Sequence, residues 1–419
     1  MKAVILTAGQ GIRLLPLTQS RTKGMIPVGN RPILEHIVGA LRSAGINEVV
    51  MVVGFSAEKV MNYFGSGKDF NIKIEYIHQK KLLGTAQALS LARDVIDSDF
   101  LVLPGDNIID ANGLKSLVKC KKETAALLVS SSNRPSKYGV VGLKGNYVYK
   151  IVEKPKISGD LMSTGVPSIF SLALWEYKEE TISNIISTGA YRFDPKIFEV
   201  IDEAADQGRY TLTDVVQILI ERNEKVKAFN TDLWIDAVYP WDLLDMNSIL
   251  IALMASGKGG KIEKNNHIEG AVSIGEDSVI HAGCYIRGPV VIGKGCRIGP
   301  NVVIYPSTCI GDNVTIEPFT QIKNSIIMDD VMIRSSGNIS NSIISDGVQV
   351  GSGLVTDTTP SEIRLHEYSH SKELGAVVGE DSNLGHSVIV NSGVIIGCQT
   401  EIAPQKTIDK NIPNGSNVL

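Results

Sequence analysis

The stretch VVIGKGCRIGPNVVIYPSTCIGDNVTI, residues 290–316, decides the fold of the C-terminal part of the chain, because isoleucine returns in it at every sixth position. A small or β-branched residue stands two positions before most of these isoleucines. This period fits neither an α-helix, which repeats every ~3.6 residues, nor a strand, which repeats every ~2. It is typical of a hexapeptide β-helix, in which short strands form coils and the paired side chains point inwards. The isoleucines at this period are Ile262, Ile268, Ile274, Ile280, Ile286, Ile292, Ile298, Ile304, Ile310, Ile316 and Ile322.

Two shifts of register interrupt the repeat. It resumes near residue 344 and, after the second shift, at residues 378–402. The polar residues 356–374 between these blocks predict a loop that leaves the coil. We therefore assign residues 262–419 to a β-helix domain with this excursion. The glycine-rich residues 251–261 before it predict a linker.

Residues 1–250 follow a different pattern, in which continuous Val, Ile and Leu runs alternate with helical patterns. Strands that are apolar along their whole length are buried on both faces, and the helices between them form the crossovers of a parallel sheet. We therefore expect an α/β domain, whose ligands would bind beyond the carboxyl ends of the strands. The expected strands are residues 2–6, 48–53, 72–77 and 100–103, and the expected helices are residues 32–44, 57–64, 85–95 and 243–254.

The composition limits the possible partners. Lys and Arg number 41 and Asp and Glu number 45, a net charge of −4, which argues against a nucleic-acid-binding surface. No apolar run reaches the ~18 residues of a membrane span, and the opening strand reaches Gly9 too soon for a signal peptide. Five cysteines without a CxxC pair indicate free thiols and a cytoplasmic protein. Cys284 and Cys296 stand at the inward position of the repeat, so we expect them in its core.

The loop after the first strand has the residues of a phosphate-binding loop. Ala8, Gly9 and Gly11 allow backbone N–H groups to approach a nucleotide closely, because glycine places no side chain in the way. Arg13 and Lys23 follow and could neutralise its phosphates. Taken alone, this pattern also fits an ordinary strand-to-helix turn.

Further motifs follow the loop in order along residues 1–250. They are QKKLLGTA (79–86), GDN (105–107), YGVV (138–141), VEKP (152–155), LTD (212–214) and WIDAVYPWDLL (234–244). Together with the opening GQGIRLLPLT (9–18), this series resembles the sugar-1-phosphate nucleotidylyltransferases, also called pyrophosphorylases. The resemblance covers the whole of this part of the chain.

This resemblance implies a Rossmann-like nucleotidyltransferase domain and a reaction without a nucleophilic side chain. An oxygen of a sugar 1-phosphate would attack the α-phosphorus of UTP or dTTP, and pyrophosphate would leave. Cations must offset the charge of two polyanions, and Mg²⁺ takes carboxylate and phosphate oxygens. The implied catalytic residues are Arg13, Lys23, Asp106, Lys154 and Asp236, of which Asp106 and Asp236 would hold Mg²⁺. The implied nucleotide-binding residues are Ala8, Gly9, Gly11, Gln79, Gly84 and Thr85, and those for the sugar phosphate are Gly139, Glu153, Lys154, Thr188 and Gly189.

The chain departs from the family pattern at several positions. Ile12 stands in place of a threonine, and Thr22 and Gly24 replace the prolines that usually flank the lysine. The sugar motif Asn-Thr-Gly occurs as Ser-Thr-Gly at 187–189, and a second copy at 163–165 competes with it. We prefer the copy at 187–189 because the aromatic residues Tyr191 and Phe193 follow it, as in the family, and we interpret residues 157–187 as an insertion. These changes bear on rate and sugar choice more than on the reaction class.

The C-terminal part resembles archaeal bifunctional enzymes that also acetylate an amino-sugar phosphate. The resemblance implies a left-handed β-helix and a homotrimer or a multiple of one. Where the relatives carry a His-x-x-Tyr pattern, this chain has Ser335 and Asn338, and Glu373 stands where a lysine is expected. His386 is the nearest substitute for the missing base. We therefore expect an eroded acetyltransferase site and a domain that serves mainly in oligomerisation.

Three functions remain open at this stage. The favoured one is Mg²⁺-dependent nucleotidyl transfer from UTP or dTTP to a sugar 1-phosphate. The second is a bifunctional enzyme that also acetylates glucosamine 1-phosphate. The third is a catalytically silent regulatory or scaffold subunit, against which the retention of Arg13, Lys23, Asp106, Lys154 and Asp236 argues.

Overall fold

The computed structural model describes residues 1–120, 123–155, 184–365 and 368–419. These residues form two compact units, Met1–Gly9 with Leu34–Ile235 and Gln10–Ile33 with Asp236–Leu419. The predicted boundary at residue 250 thus falls inside the second unit. The competing sugar motif at 163–165 and most of the predicted insertion lie outside the described residues.

The first unit is built on a mixed sheet, which has nine strands in the described residues. Strands β1 to β4 are parallel, as the apolar runs predict, and β8 joins them in the antiparallel sense beside β4. The spatial order is β3-β2-β1-β4-β8-β5-β9-β7-β6. The strands are β1 (Lys2–Thr7), β2 (Glu48–Val53), β3 (Lys73–His78), β4 (Phe100–Pro104), β5 (Ala125–Ser131), β6 (Gly139–Lys144), β7 (Tyr147–Glu153), β8 (Ile185–Phe193) and β9 (Val226–Asn230).

The four predicted helices are present with altered ends, and three further helices of the described residues, Ala111–Lys119, Ile197–Asp206 and Leu212–Glu221, were not predicted. The predicted helix at 85–95 is shorter, because the chain leaves it at Ser90 and continues in a 3₁₀ turn, Arg93–Val95. The predicted helix at 243–254 begins earlier, at Pro240, whose fixed φ and missing N–H suit a first helical position. The described α-helices are α1 (Ile33–Ser43), α2 (Ala57–Phe64), α3 (Thr85–Ser90), α4 (Ala111–Lys119), α5 (Ile197–Asp206), α6 (Leu212–Glu221) and α7 (Pro240–Ala252).

The second unit contains a parallel β-helix with three sheets of stacked strands. The first sheet contains Gly257–Lys258, Val272–Ile274, Val290–Ile292, Thr308–Ile310, Ile326–Ile327, Ile343–Ile344, Ala376–Val378 and Val394–Ile396. The second contains Lys261–Ile262, Val279–Ile280, Arg297–Ile298, Thr315–Ile316, Met332–Ile333, Gln349–Val350, Asn383–Leu384, Glu401–Ile402 and Asn417–Val418. The third contains His267–Glu269, Tyr285–Arg287, Val303–Ile304, Gln321–Lys323, Asn338–Ser340, Val355–Thr356, Ile389–Val390 and Thr407–Ile408.

The register of the stacked strands explains the two shifts in the sequence repeat. Val290 pairs with Thr308, a step of 18 residues, or three periods of six. Cys309 pairs with Ile326, a step of 17, so one residue is lost from that coil. Ile343 pairs with Val377, a step of 34, because the excursion is inserted there. The excursion contains an antiparallel hairpin, Ser361–Leu365 with Tyr368–Lys372.

The predicted linker at 251–261 is largely structured. Helix α7 continues to Ala252, and Gly257–Lys258 already pairs with Val272–Ile274 as part of the first coil. Ile251 and Met254 pack against Val291 and Cys309 of the β-helix. Gly260 allows a close approach of the coils, because a Cβ there would lie 2.5 Å from Ser278 O. In the described ranges, no helix is long and apolar enough to cross a membrane.

The interior of the β-helix is a column of the repeat's apolar side chains. Ile280, Ile298 and Ile316, at the six-residue period, are at most 1% exposed. The small residues two positions earlier are buried as well, and they satisfy the polar groups at the corners: Ser278 Oγ donates to Gly293 O at 2.7 Å, and Cys284 Sγ to Gly299 O at 3.0 Å. The predicted core position of the repeat's cysteines is confirmed.

All five cysteines are buried free thiols, so we expect them to resist modification in the folded protein. Burial raises the pKa of the Cys296 thiol to about 11 and that of Cys309 to about 12, and only the thiolate is strongly nucleophilic. A thiol-disulfide reagent at pH 8 should find no rapidly reacting thiol in the native chain and five after unfolding in guanidinium. A rapid thiol in the native protein would contradict this burial.

Candidate active site

Asp106 lies directly after β4, at the carboxyl edge of the parallel strands. The preceding glycine allows this: Gly105 N–H donates to Leu6 O at 2.9 Å, and a Cβ at Gly105 would lie 2.6 Å from Thr7 Cβ. A side chain at position 105 would therefore push β1 and β4 apart. The close approach places the Asp106 carboxylate at the edge where ligands of such sheets bind.

Gln79, Gly84 and Thr85 form the predicted base-binding part of the first unit. Gln79 is 7% exposed, and its Nε2 donates to Gln87 Oε1 at 2.7 Å, which orients its amide. A Cβ at Gly84 would lie 2.3 Å from Tyr210 O, so this position accepts only glycine. Thr85 Oγ1 accepts a hydrogen bond from Leu212 N at 2.9 Å and joins the start of α3 to the start of α6.

The end of β7 forms a sugar corner, by which we mean Gly139, Glu153, Lys154 and Thr213. Thr213 Oγ1 donates to Glu153 Oε2 at 2.7 Å, and Lys154 Nζ lies 3.3 Å from Glu153 Oε1. A Cβ at Gly139 would lie 3.4 Å from Glu153 Oε2, so glycine leaves the carboxylate accessible. Lys154 has a φ of 40°, a strained conformation for a residue with a side chain. Strain of this kind collects at functional sites.

The predicted sugar motif 187–189 forms an irregularity in β8, between Ser187 and Tyr191. Gly189 has a φ of 82°, a conformation that favours glycine. The Thr188 hydroxyl, predicted to face the sugar, instead donates to Leu128 O at 3.0 Å, and Thr188 O accepts from Asn107 Nδ2 at 3.1 Å. Thr188 is 2% exposed, so it supports this bulge of β8 from the protein interior.

Gly11, Arg13, Lys23 and Asp236 belong to the second unit. Gly11 has a φ of 78°, and a Cβ there would lie 2.9 Å from Lys23 Cβ. Lys23 Nζ lies 2.7 Å from Asp236 Oδ1, and the two side chains are 11% and 13% exposed. Arg13 is exposed, and so is the departure Ile12. The fold thus brings Lys23 and Asp236, which are 213 residues apart in sequence, into one ion pair.

The metal-binding expectation rests on Asp106 and Asp236. Among the residues that the structure describes, no group of three or more His, Cys, Asp or Glu side chains is arranged to hold a metal ion. Mg²⁺ commonly takes one or two protein carboxylates and completes its shell with substrate phosphates and water. Asp106 of the first unit and Asp236 of the second unit each offer one carboxylate, and each is by itself a ligand of the kind that Mg²⁺ takes.

Sequence reasoning missed three supporting residues. Thr213 lies in the quoted LTD motif, but only the structure shows its bond to Glu153. Asn107 lies in the GDN motif and holds Thr188 O, while its buried Oδ1 has no hydrogen-bond partner in the described residues. Arg21 was not among the predicted site residues. Its position two residues before the expected catalytic lysine is the signal that could have identified it.

A family model described as "Nucleotidyl transferase" matches residues 2–251. The chain belongs to this family. A second model, described as "GMPPB C-terminal domain", matches residues 286–418. The predicted family is therefore confirmed over the motif-bearing part of the chain, and the β-helix has a counterpart of its own.

Individual relatives agree with this assignment. The chain is 36% identical over 428 residues to the "Bifunctional protein GlmU" of Methanococcus maripaludis strain C7, covering 100% of this chain and 97% of that protein. It is 33% identical over 252 residues to the "UTP--glucose-1-phosphate uridylyltransferase AglF" of Haloferax volcanii, covering 58% of this chain and 93% of that one. A crystal structure of a putative glucose-1-phosphate thymidylyltransferase from Bacillus anthracis is 28% identical, covers 62% of this chain and 98% of that chain, and has a TM-score of 0.51.

These matches confirm the predicted fold class and the coarse function. The protein is a member of the sugar-1-phosphate nucleotidyltransferases, with a Rossmann-like domain followed by a hexapeptide β-helix. The stacked parallel sheets agree with the left-handed β-helix that the resemblance implies.

The positions of the expected acetyltransferase residues lie on the β-helix. Ser335 N–H donates to Glu317 Oε2 at 3.2 Å, and Asn338 Oδ1 accepts from Gln321 at 3.4 Å. His386 Nδ1 accepts a hydrogen bond from Ser352 N–H at 3.0 Å. A neutral imidazole that accepts at Nδ1 carries its proton on Nε2, so that nitrogen has no lone pair to take a proton from an amine. His386 is therefore poorly arranged to act as a general base.

Proposed function

We propose that the protein transfers a pyrimidine nucleotidyl group from UTP or dTTP to a sugar 1-phosphate, with Mg²⁺ as the metal ion. The observation that carries this proposal is the partly buried ion pair of Lys23 and Asp236, whose charged atoms lie 2.7 Å apart beside Gly11. It holds a cation for phosphate and a carboxylate for a divalent ion next to each other. When substrate binds, each group can change its partner. The Lys23 ammonium then binds a phosphate, and the Asp236 carboxylate binds the divalent ion.

The reaction needs binding and charge compensation rather than a side-chain nucleophile. A non-bridging oxygen of the sugar 1-phosphate forms a bond to the α-phosphorus, the bond to the β-phosphate oxygen breaks, and pyrophosphate leaves. The backbone N–H groups of Ala8, Gly9 and Gly11 and the Arg13 side chain hold the triphosphate. Asp106 and Asp236 would hold Mg²⁺, which supplies positive charge to the phosphate oxygens.

The sugar phosphate is held by the sugar corner and the bulge of β8. Lys154 would bind its phosphate, since the strained backbone and Glu153 already orient the ammonium group. Glu153, fixed by Thr213, offers acceptor oxygens to sugar hydroxyls beside Gly139. Gly189 contributes backbone at the bulge, with Thr188 beneath it.

Gln79 contributes to the choice among the pyrimidines. Since its Nε2 is engaged by Gln87, its Oε1 remains oriented as an acceptor. Uracil and thymine present an N3–H donor on the pairing edge, whereas cytosine presents an acceptor there. The arrangement therefore favours uracil and thymine over cytosine and treats the two alike, since their pairing edges are the same.

Asp106→Asn and Asp236→Asn should each lower nucleotidyl transfer by ~10²-fold or more, because each removes an anionic ligand of the ion. Mg²⁺-dependent release of pyrophosphate measures this, with UTP and dTTP tested against several sugar 1-phosphates. Asp232→Asn, an exposed aspartate four positions before Asp236, is the matched control and should keep full activity. Near-normal turnover in a folded Asp106 or Asp236 variant would refute these roles. An inactive wild type would favour the silent-subunit alternative.

Similarity over the full chain to proteins named "Bifunctional protein GlmU" favours acetyl transfer as a second candidate function. The arrangement of Ser335, Asn338 and His386 opposes it, because none of them offers a free basic nitrogen. We propose that the β-helix instead serves mainly in assembly, as a homotrimer or a multiple of one.

The chain should not acetylate glucosamine 1-phosphate at an appreciable rate, since a positioned base contributes ~10²–10⁴-fold. Detection of free coenzyme A thiol during incubation with acetyl-coenzyme A measures the activity. Robust release that is lost in His386→Ala would contradict the prediction and show that the site has moved.

A further inference from the structure

Residues Gln10–Ile33, here called the phosphate segment, carry both Arg13 and Lys23 but have little regular structure. They contain two 3₁₀ turns, Ile12–Leu14 and Lys23–Met25, and a short antiparallel pair. By its contacts, this segment belongs to the same compact unit as the β-helix. Something outside the segment must therefore hold its conformation.

The strongest tie is an ion-pair cluster around Arg21. The Arg21 guanidinium bonds to both Asp346 and Glu380, and Ser20 Oγ donates to Glu380 Oε1 at 2.7 Å. The side chains of Arg21, Asp346 and Glu380 are 12%, 26% and 16% exposed, so solvent screens the charges only in part.

The β-helix itself creates this carboxylate pair. Asp346 follows the strand Ile343–Ile344, and Glu380 follows the strand Ala376–Val378, which stacks directly on it. Neighbouring strands lie ~4.8 Å apart, so the two carboxylates come from consecutive coils at the same corner. Both bonds come from the same guanidinium nitrogen, Nη2, whose two N–H groups can donate to the two carboxylates at once.

The parts of the phosphate segment before and after Arg21 also contact the rest of the second unit. On one side Cys398 Sγ lies 3.7 Å from Pro16 O. On the other, Asn30 Nδ2 donates to Ile310 O, and Gly29 N–H donates to Asn247 Oδ1 of α7 at 2.9 Å. Arg21 lies between these ties, two residues from Lys23.

The two carboxylates compensate the charge of Arg21. Burial on its own would lower the pKa of the guanidinium, and the charges and hydrogen bonds of Asp346 and Glu380 outweigh it and raise that pKa. Removal of either side of the cluster would therefore leave a buried charge without compensation, which favours movement of the segment towards solvent.

We infer that Arg21 is a positioning residue for nucleotidyl transfer: by binding Asp346 and Glu380, it holds the phosphate segment on the β-helix so that Arg13 and Lys23 meet the triphosphate in one arrangement. This inference rests on the proposed function. It gives the β-helix a part in the N-terminal reaction that is separate from assembly and from acetyl transfer.

The test uses the full-length chain and compares Arg21→Ala, Arg21→Lys and the double variant Asp346→Asn/Glu380→Gln. We expect Arg21→Ala and the double variant each to lower kcat/KM for the nucleotide by ~10- to 100-fold, since small misplacements of binding groups have effects of this size. Arg21→Lys should recover part of the loss. Combining Arg21→Ala with the double variant should cause little further loss of kcat/KM, because both changes break the same contact.

The KM values separate positioning from simple loss of stability. A loosened phosphate segment raises KM for the nucleotide and leaves KM for the sugar 1-phosphate unchanged. Partial unfolding lowers kcat and changes neither KM, and that pattern, or unchanged kinetics, would overturn the inference. Arg334→Ala, which breaks an ion pair with Glu317 on the β-helix, is the matched control. It should change neither of the two KM values.

Equilibrium binding of Mg²⁺-UTP and Mg²⁺-dTTP by calorimetry provides a second measurement that needs no turnover. Weaker nucleotide binding by Arg21→Ala than by the wild type supports the inference even if the sugar substrate has not been found. Equal binding by the two overturns the inference alone. A wild type that neither binds nucleotide nor releases pyrophosphate overturns the proposed function and this inference together.

Discussion

The contact between the Arg21 guanidinium and the carboxylates of Asp346 and Glu380 is the interaction on which the account depends most. The phosphate segment carries two of the expected catalytic cations, yet it has only two short 3₁₀ turns of helical structure. A segment of this kind loses much conformational freedom on ordering. The β-helix supplies the missing constraint, because its stacked coils place two carboxylates at one corner.

Much of the fold could be predicted because it rests on local patterns. The six-residue isoleucine period predicts the coils, and each shift of register in the sequence corresponds to a coil of 17 residues or to the inserted excursion. The contacts of Arg21 could not be predicted. They join residues 325 and 359 positions apart, and no periodicity relates an arginine in an irregular segment to acids at the corners of a coil.

The residues of the candidate site could be predicted where a motif contains them. Their conformations depend on backbone geometry and could not be predicted in this way. The motifs identify Asp106, Glu153, Lys154 and Asp236 by residue type and order. They do not show that Lys154 is held at a φ of 40°, or that Thr188 turns its hydroxyl to Leu128 O. Both depend on how neighbouring strands bulge and end, which is decided by packing across the sheet rather than by the residue itself.

Hydrogen exchange in the phosphate segment shows whether the carboxylates of the β-helix hold it. The amides of Leu14, Leu17 and Met25 are hydrogen-bonded within this segment, and their protection reports how firmly it is held. The account predicts that Asp346→Asn/Glu380→Gln lowers this protection in the full-length chain and leaves that of the adjacent helix α1 unchanged. Protection of the segment equal to that of the wild type would show that the β-helix carboxylates do not hold it.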